Sequence, residues 1–153
     1  MSYAELRAQL GALLDGVDDP VARMATTAAL LHDSLDHVFW VGFYLPRADG
    51  SLVVGPYQGP LASVVLPPGR GVCGAAARSR ETVIVPDVHA FEGHISCSPR
   101  SRSEIVVPVM RGDELIAVLD LDSDTPAAFD EDDAHGLEAL AELAANHRQG
   151  RAS

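Results

Sequence analysis

Apolar residues recur at helical spacing near the start of the chain and again near its end. Leu6, Leu10 and Leu14 fall on one face of a first predicted helix. A second predicted helix begins at Pro20, which suits the first turn of a helix. Asp130 can cap a last helix whose first turn is acidic, as the positive end of the helix dipole favours. The pattern therefore predicts helices at both ends of the chain.

Between these helices, β-branched and aromatic residues predict six strands. The predicted strands cover residues 37–45, 51–57, 62–66, 82–85, 105–110 and 114–121, and a short helix covers residues 71–80. Tight turns at 47–50 and 111–113 require their flanking strands to pair antiparallel. We therefore expect one domain over residues 1–153, of the α+β class, with a central antiparallel sheet and helices packed on its faces.

The charge of the chain excludes two classes of partner. Eleven Lys and Arg stand against 22 Asp and Glu, a formal net charge of −11. Phosphate binding relies on clustered cations, so nucleic acid is not expected as a partner. The same imbalance argues against an anionic membrane surface.

The chain contains two cysteines, Cys73 and Cys97. The first residues show no basic start followed by an apolar core, so the sequence predicts no export signal. A reducing cytoplasm is the expected compartment, where a pair of thiols is either inert or reactive rather than a structural disulfide.

Cys97 lies in a predicted irregular loop over residues 87–102, rich in Ser, Gly, Pro and His. Loops of this length inside compact domains are usually functional or disordered. A loop thiol close to His94 and Arg100 can be shifted toward the nucleophilic thiolate. The alternative is an inert loop cysteine.

Cys73 falls at the start of the predicted helix 71–80. The unpaired N–H groups and the dipole at a helix start favour a thiolate. Alternatively, Cys73 packs with Val72 and Ala76 as an ordinary apolar residue.

Asp120 and Asp122 alternate along a predicted strand, so both side chains point to the same face. If that face is enclosed, the two carboxyl groups repel and one can hold a proton near neutral pH, ready to bind an ammonium group or to donate a proton. Glu104, at the start of another strand, could join them. The alternative is a solvent-facing strand end.

Trp40 and Tyr44 also share one strand face. They are either core residues or the wall of a ligand cage.

Two familiar motifs are weak here. Residues 69–74 match the spacing G-x-G-x-x-G, but a Pro-Pro pair separates them from the preceding strand and no βαβ unit surrounds them. His89, His94, Cys73 and Cys97 could be assembled into a zinc site, yet none of the compact ligand pairs of zinc sites is present. The sequence therefore predicts neither a nucleotide cofactor nor a metal ion.

Several short segments, taken in order, resemble the free methionine-(R)-sulfoxide reductase family of GAF domains. These segments are WVGFY (40–44), GPYQG (55–59), GRGVCG (69–74), PDVH (86–89), GHISC (93–97), SEIVVP (103–108) and VLDLDS (118–123). They run in the family's order and cover most of the chain. Generic GAF sensor domains lack both cysteine motifs, so the ordered set is more specific than any one segment.

The resemblance implies a GAF fold with the substrate enclosed beneath the long loop. Cys97 matches the catalytic thiol of the family and Cys73 another redox cysteine. Acidic residues that hold the amino acid and assist at the sulfoxide correspond to Glu104, Asp120 and Asp122. Aromatic pocket positions correspond to Trp40 and Tyr44.

One departure from the family concerns how the oxidised Cys97 is reduced again. Many relatives carry a third cysteine that can pair with the catalytic thiol, and here that position is Ser63. The resolving thiol is therefore either Cys73 or an external thiol. Thioredoxin or a similar dithiol is the implied reductant.

Two other functions fit the same fold. A non-catalytic GAF domain would bind a small ligand in the pocket without consuming it. A structural or dimerising module would bind no small molecule, and the first and last helices are candidates for a homodimer interface.

Overall fold

The computed structural model describes residues 1–94 and 98–145 of the chain. Within these residues, four helices and six strands follow one another in the order α1, α2, β1, β2, β3, α3, β4, β5, β6, α4. The helices are α1 Tyr3–Leu14, α2 Pro20–Ser34, α3 Gly71–Ser79 and α4 Glu131–Ala145. The strands are β1 Trp40–Pro46, β2 Leu52–Gln58, β3 Val65–Leu66, β4 Val83–Val85, β5 Ser103–Arg111 and β6 Glu114–Ser123.

The helices begin where side chains can cap them. Ser2 and Glu5 form a reciprocal capping box at the start of α1. The Asp19 carboxylate accepts hydrogen bonds from two backbone N–H groups at the start of α2, where Pro20 holds the first position. At α4, the backbone N–H of Asp133 donates to the Asp130 side chain. The capping residues at Pro20 and Asp130 are those that the sequence predicts.

The six described strands form one antiparallel sheet in the order β3-β2-β1-β6-β5-β4. The predicted α+β architecture is confirmed. The first strand starts later than the predicted 37, because the segment after α2 first completes a turn in which Val38 N–H donates to the Leu35 carbonyl. Only Val65–Leu66 of the predicted strand 62–66 pairs in the sheet.

Each face of the sheet carries its own apolar cluster. On one face, α1, α2 and α4 pack over alternate residues of β1, β5 and β6, among them Phe43, Val107 and Leu119. On the other face, α3 and the segment after β4 pack over Tyr44, Val106 and Val118. The second cluster is smaller, and polar residues occupy part of its strand positions. This face of the sheet therefore has room for a site.

The long segment after β4 is only partly irregular. Residues Val88–Ala90 form a 3₁₀-helical turn capped by the Asp87 side chain, whose carboxylate accepts from the His89 N–H. Val88 is fully buried and ties this segment to the sheet. Cys97, on which the sequence places the nucleophile, lies outside the described residues.

Among the described residues, no helix is both long and apolar enough to cross a lipid bilayer.

Candidate functional site

Three neighbouring strands bring the acidic and aromatic candidates together on the α3 face of the sheet. In the strand register, Asp122 of β6 lies opposite Trp40 of β1 on one side and opposite Glu104 of β5 on the other. Asp120 lies two residues along the same face of β6. Directly opposed residues of antiparallel strands have Cβ atoms roughly 5 Å apart, so these side chains are immediate neighbours.

These side chains line one cavity with about 400 Å³ of empty volume, including the space at its open side. The lining combines an acidic floor with aromatic and small apolar walls. Its described residues are Phe39, Trp40, Tyr44, Pro60, Leu61, Ala62, His94, Ser98, Ser101, Glu104, Asp120 and Asp122. The alternative of a solvent-facing strand end is wrong, because Glu104 and Asp120 are only 6% and 5% exposed.

The aromatic wall is fixed by stacking and hydrogen bonding. The Trp40 ring stacks on Tyr44 and Tyr57, with ring centroids 6.0 and 5.2 Å apart. Trp40 Nε1 donates to the Pro60 carbonyl over 3.0 Å, and the Tyr44 hydroxyl donates to the Ser63 carbonyl over 3.0 Å. The polar ends of both rings are thereby satisfied, and their faces remain as cavity wall.

Gly42 makes room for this wall. A Cβ atom at Gly42 would lie 2.3 Å from Tyr57 Cβ and 2.5 Å from the Trp40 ring. Such distances are far below contact, so any side chain here would displace the indole. The packing of Trp40 and Tyr57 therefore requires glycine at position 42.

Burial raises the pKa of both aspartates in the cavity. For Asp120, loss of solvent is the main cause, and the adjacent Glu104 adds repulsion. For Asp122, loss of solvent again comes first and the charge of Asp120 second, while the hydrogen bond from Ser101 acts in the opposite direction. The Ser101 hydroxyl donates to Asp122 Oδ1 over 3.0 Å. Asp120 and Asp122 therefore favour their protonated forms when no cation is bound.

Cys73 reaches the same acids from α3. Its Sγ donates to Asp120 Oδ2 over 3.4 Å, and it lines a second cavity that shares Tyr44, Glu104 and Asp120 with the first. Burial raises the pKa of the Cys73 thiol well above its usual range, and the charges of Asp120, Glu104 and Asp122 raise it further. Of the two alternatives that the sequence left open for Cys73, the structure shows packing with Val72 and Ala76, and no bias toward thiolate at the helix start. Desolvation and nearby negative charge outweigh the helix dipole.

His94 is a cavity residue that the sequence associates only with the neighbouring Cys97 and with a zinc site. Its Nε2 lies 3.7 Å from Glu104 Oε1, and burial lowers the pKa of the imidazole. Phe39 and Ser101 also line the cavity, and no feature of the sequence marked them. Phe39 precedes its strand like any apolar residue, and Ser101 is one of several serines in its segment. By contrast, His89 is exposed and does not line this cavity.

Comparison with known proteins agrees with this architecture. The model of the GAF domain family matches residues 19–147 of this chain. The free methionine-R-sulfoxide reductase of Escherichia coli is 44% identical over 138 residues, covering 90% of this chain and 83% of that protein. The enzyme of the same name from Saccharomyces cerevisiae is 38% identical, covering 86% of this chain and 77% of its own.

A solved structure is similar to this chain at a comparable level of sequence identity. The free methionine-R-sulfoxide reductase of Neisseria meningitidis, determined in complex with its substrate, superposes with a TM-score of 0.91 at 46% identity. The match covers 95% of this chain and 87% of that one.

Proposed function

We propose that this chain reduces free methionine-(R)-sulfoxide with Cys97 as its nucleophile. The chain belongs to the GAF domain family and, within it, to the free methionine-R-sulfoxide reductases. Identity above 40% across most of both chains supports the reaction. The observation that carries the residue assignment is the buried group Glu104, Asp120 and Asp122 facing an aromatic wall in one cavity. The roles below are derived from that group.

The acidic floor suits the ammonium group of a free amino acid. Peptide-bound methionine has no ammonium group at its own nitrogen, so it cannot compensate several buried carboxylates. A site built for a charged group rejects an analogue that lacks it, because its own buried charges are then left unpaired. The Trp40 and Tyr44 rings offer the flat apolar surface against which the methylene groups of the substrate side chain pack. Together they select the free amino acid.

The raised pKa values of Asp120 and Asp122 suit proton donation. Reduction of a sulfoxide requires a proton at its oxygen as the S–O bond breaks. A carboxyl group that stays protonated near neutral pH can supply this proton, whereas an exposed aspartate cannot. We assign this donor role to the Glu104, Asp120 and Asp122 group.

The first half-reaction transfers oxygen to Cys97. The Cys97 thiolate attacks the sulfoxide sulfur, a carboxyl group protonates the oxygen, methionine leaves, and Cys97 becomes a sulfenic acid. His94 and Ser98, the described residues that flank Cys97 in the sequence, both line the cavity. This placement supports Cys97 as the thiol that meets the substrate.

The second half-reaction returns Cys97 to the thiol. The Cys73 thiol condenses with the sulfenic acid, forming a disulfide and releasing water. Its proton can pass through the Asp120 carboxylate, to which Sγ is hydrogen-bonded, to the hydroxide that leaves the sulfenic acid as water. Thioredoxin or a similar dithiol then reduces the disulfide by exchange in a reducing, cytoplasmic compartment. Because Ser63 stands where many relatives have a third cysteine, an external thiol acting directly on Cys97 is the alternative to Cys73.

A homodimer through α1 and α4 is a separate prediction, since these two helices cover one side of the molecule. Sedimentation equilibrium of the native chain measures it. A monomer at all concentrations would contradict it and leave the reductase proposal unaffected.

The reaction is tested by an assay on separated epimers of free and peptide-bound methionine sulfoxide, with thioredoxin as reductant. We expect consumption of the free R epimer only. Binding of the R epimer without its consumption would instead identify a sensor domain, and no binding at all would identify a structural module.

Substitution of each cysteine distinguishes the roles of the two thiols. Cys97→Ser should lower kcat by roughly a thousandfold or more, because the nucleophile is lost. Cys73→Ser should leave the first turnover intact and slow recycling with thioredoxin. Single-turnover and steady-state rates distinguish these effects. Substantial turnover by Cys97→Ser would remove the proposed nucleophile, and unaltered recycling by Cys73→Ser would make the external thiol the resolving group.

A further inference from the structure

Three buried donor groups of the cavity lie close enough together to bind one metal ion. Cys73 Sγ and one carboxylate oxygen from each of Glu104 and Asp120 lie within 4.8 Å of one another. They come from α3, β5 and β6, and all three residues are buried. Ligand bonds to a tetrahedral zinc ion are about 2.0–2.3 Å long, so the donors of such a site lie somewhat under 4 Å apart. A small contraction of this group would produce that spacing.

Asp120 supplies an independent sign that a ligand belongs here. Its side chain is 95% buried, and no described donor reaches its Oδ1 when the acids are ionised; only a proton shared with Glu104 would pair it. A buried carboxylate oxygen without a partner is costly and uncommon in folded proteins. Asp120 lines both cavities, so a positively charged group placed there would satisfy this atom.

A fourth donor borders the group. His94 Nε2 lies 3.7 Å from Glu104 Oε1, and His94 lines the same cavity as Cys73, Glu104 and Asp120. His94 is not among the donors that lie within 4.8 Å of one another, so its imidazole would have to move toward the ion to bind it. The guanidinium of Arg70 borders that cavity, but the residue is exposed, so solvent screens its charge. One thiol, one imidazole and two carboxylates form a donor set typical of zinc rather than of magnesium or calcium.

We propose that Cys73, Glu104, Asp120 and His94 form a binding site for a borderline divalent cation such as Zn²⁺, which inhibits the enzyme by occupying the substrate cavity. The ion would take the place of the substrate's ammonium group and hold Cys73 away from disulfide formation. The inhibition rests on the proposed function, whereas the binding does not. The sequence favours no metal site because these ligands are far apart in the chain, and Asp120 follows Cys73 by 47 positions.

Co²⁺ is a suitable probe, since it takes the place of Zn²⁺ and shows a charge-transfer absorption when a thiolate binds it. The titration uses the Cys97→Ser variant, in which Cys73 is the remaining cysteine. We expect the charge-transfer band to saturate at one equivalent of Co²⁺ and to disappear when Zn²⁺ displaces it. Cys73→Ser in the same background should abolish the band.

The carboxylate ligands are tested in the same way. Asp120→Asn and Glu104→Gln should each weaken Co²⁺ binding by about a hundredfold, because loss of a direct ligand costs at least as much as loss of an outer-shell partner. Asp132→Asn and Glu142→Gln are matched controls on α4, with exposed side chains, and should bind Co²⁺ as the parent does. Circular dichroism establishes that each variant is folded.

Two results would overturn the site: Co²⁺ binding without a thiolate band, or equal affinity in folded Asp120→Asn and Asp132→Asn. Inhibition is measured separately, as Zn²⁺-dependent loss of reductase activity that methionine sulfoxide relieves competitively and a chelator reverses. If the chain shows no reductase activity at all, the proposed function fails while the Co²⁺ titration still decides the metal site.

Discussion

Asp120 shows how one residue type takes its chemistry from its surroundings. The same carboxyl group on a solvent-facing strand would ionise at its ordinary pKa. Here burial comes first, and repulsion by Glu104 second, in raising that pKa. The proposed proton donation and the proposed cation binding both rest on this one environment.

This raised pKa predicts a pH dependence of stability. A carboxyl group with a higher pKa in the folded state binds more protons there than in the unfolded chain. Its contribution to stability is therefore fully present below the ordinary Asp value of 3.8 and is lost as pH rises through the folded-state pKa. Asp120→Asn should flatten this decline, so that the variant gains stability relative to the parent as pH rises. Urea unfolding at a series of pH values measures it.

Asp132→Asn serves as the control, because this exposed residue on the first turn of α4 should not change the pH profile by a comparable amount. A parent protein whose stability rises steadily with pH above 4 would contradict the prediction.

At the scale of elements, α1 and α4 are joined by a close contact at a glycine. A Cβ atom at Gly136 of α4 would lie 2.2 Å from Cγ of Tyr3 in α1. The Tyr3 ring cannot move away freely, since its hydroxyl donates to the Asp133 carboxylate over 2.7 Å. The glycine therefore sets the distance between the first and last helices.

Two glycine substitutions should have opposite effects on stability. Gly11→Ala in α1 meets no atom within 4 Å and should stabilise by about 0.5–1 kcal/mol, because alanine favours the helix. Gly136→Ala gains the same helix preference but forces the Tyr3 ring aside. Crowding of a packed contact costs about 1–3 kcal/mol, so the net effect should be destabilising. Urea unfolding of both variants measures the difference, and equal stabilisation by the two would show that Tyr3 moves without cost.

At the scale of the whole molecule, buried Arg23 joins three helices. From α2, its guanidinium donates to the carbonyl of Leu14 at the end of α1, to that of Val17 in the following loop and to that of Leu143 in α4. The residue is only 5% exposed. One charged side chain thus ties α2 to the end of α1 and to α4.

Replacing Arg23 should destabilise the fold without reaching the site. Arg23→Met keeps much of the volume but leaves three carbonyls without this donor, and we expect a loss of about 3 kcal/mol or more in the free energy of unfolding. At a temperature where the variant stays folded, KM for the free substrate should be close to that of the parent, because Arg23 lies on the opposite face of the sheet. An unchanged unfolding free energy would mean that water replaces the guanidinium without penalty.

The sequence by itself determined the elements and several of the cavity residues. Hydrophobic patterns predicted four helices and six strands, tight turns predicted the antiparallel pairing, and alternation along β6 placed Asp120 and Asp122 on one face. These features are local, because a side chain's direction depends only on its neighbours along its own element. The ordered motifs likewise indicated the family before any contact was known.

Only the tertiary structure decided which groups surround those residues and how deeply they are buried. The register of β1, β6 and β5 brought Trp40, Asp122 and Glu104 side by side, and α3 placed Cys73 on Asp120. Burial and nearby acids then raised the Cys73 pKa rather than lowering it, and the fold brought together the residues of the proposed metal site, which have no recognisable spacing in the sequence. Desolvation and charge repulsion depend on which groups meet across the fold, and no pattern along the chain contains that information.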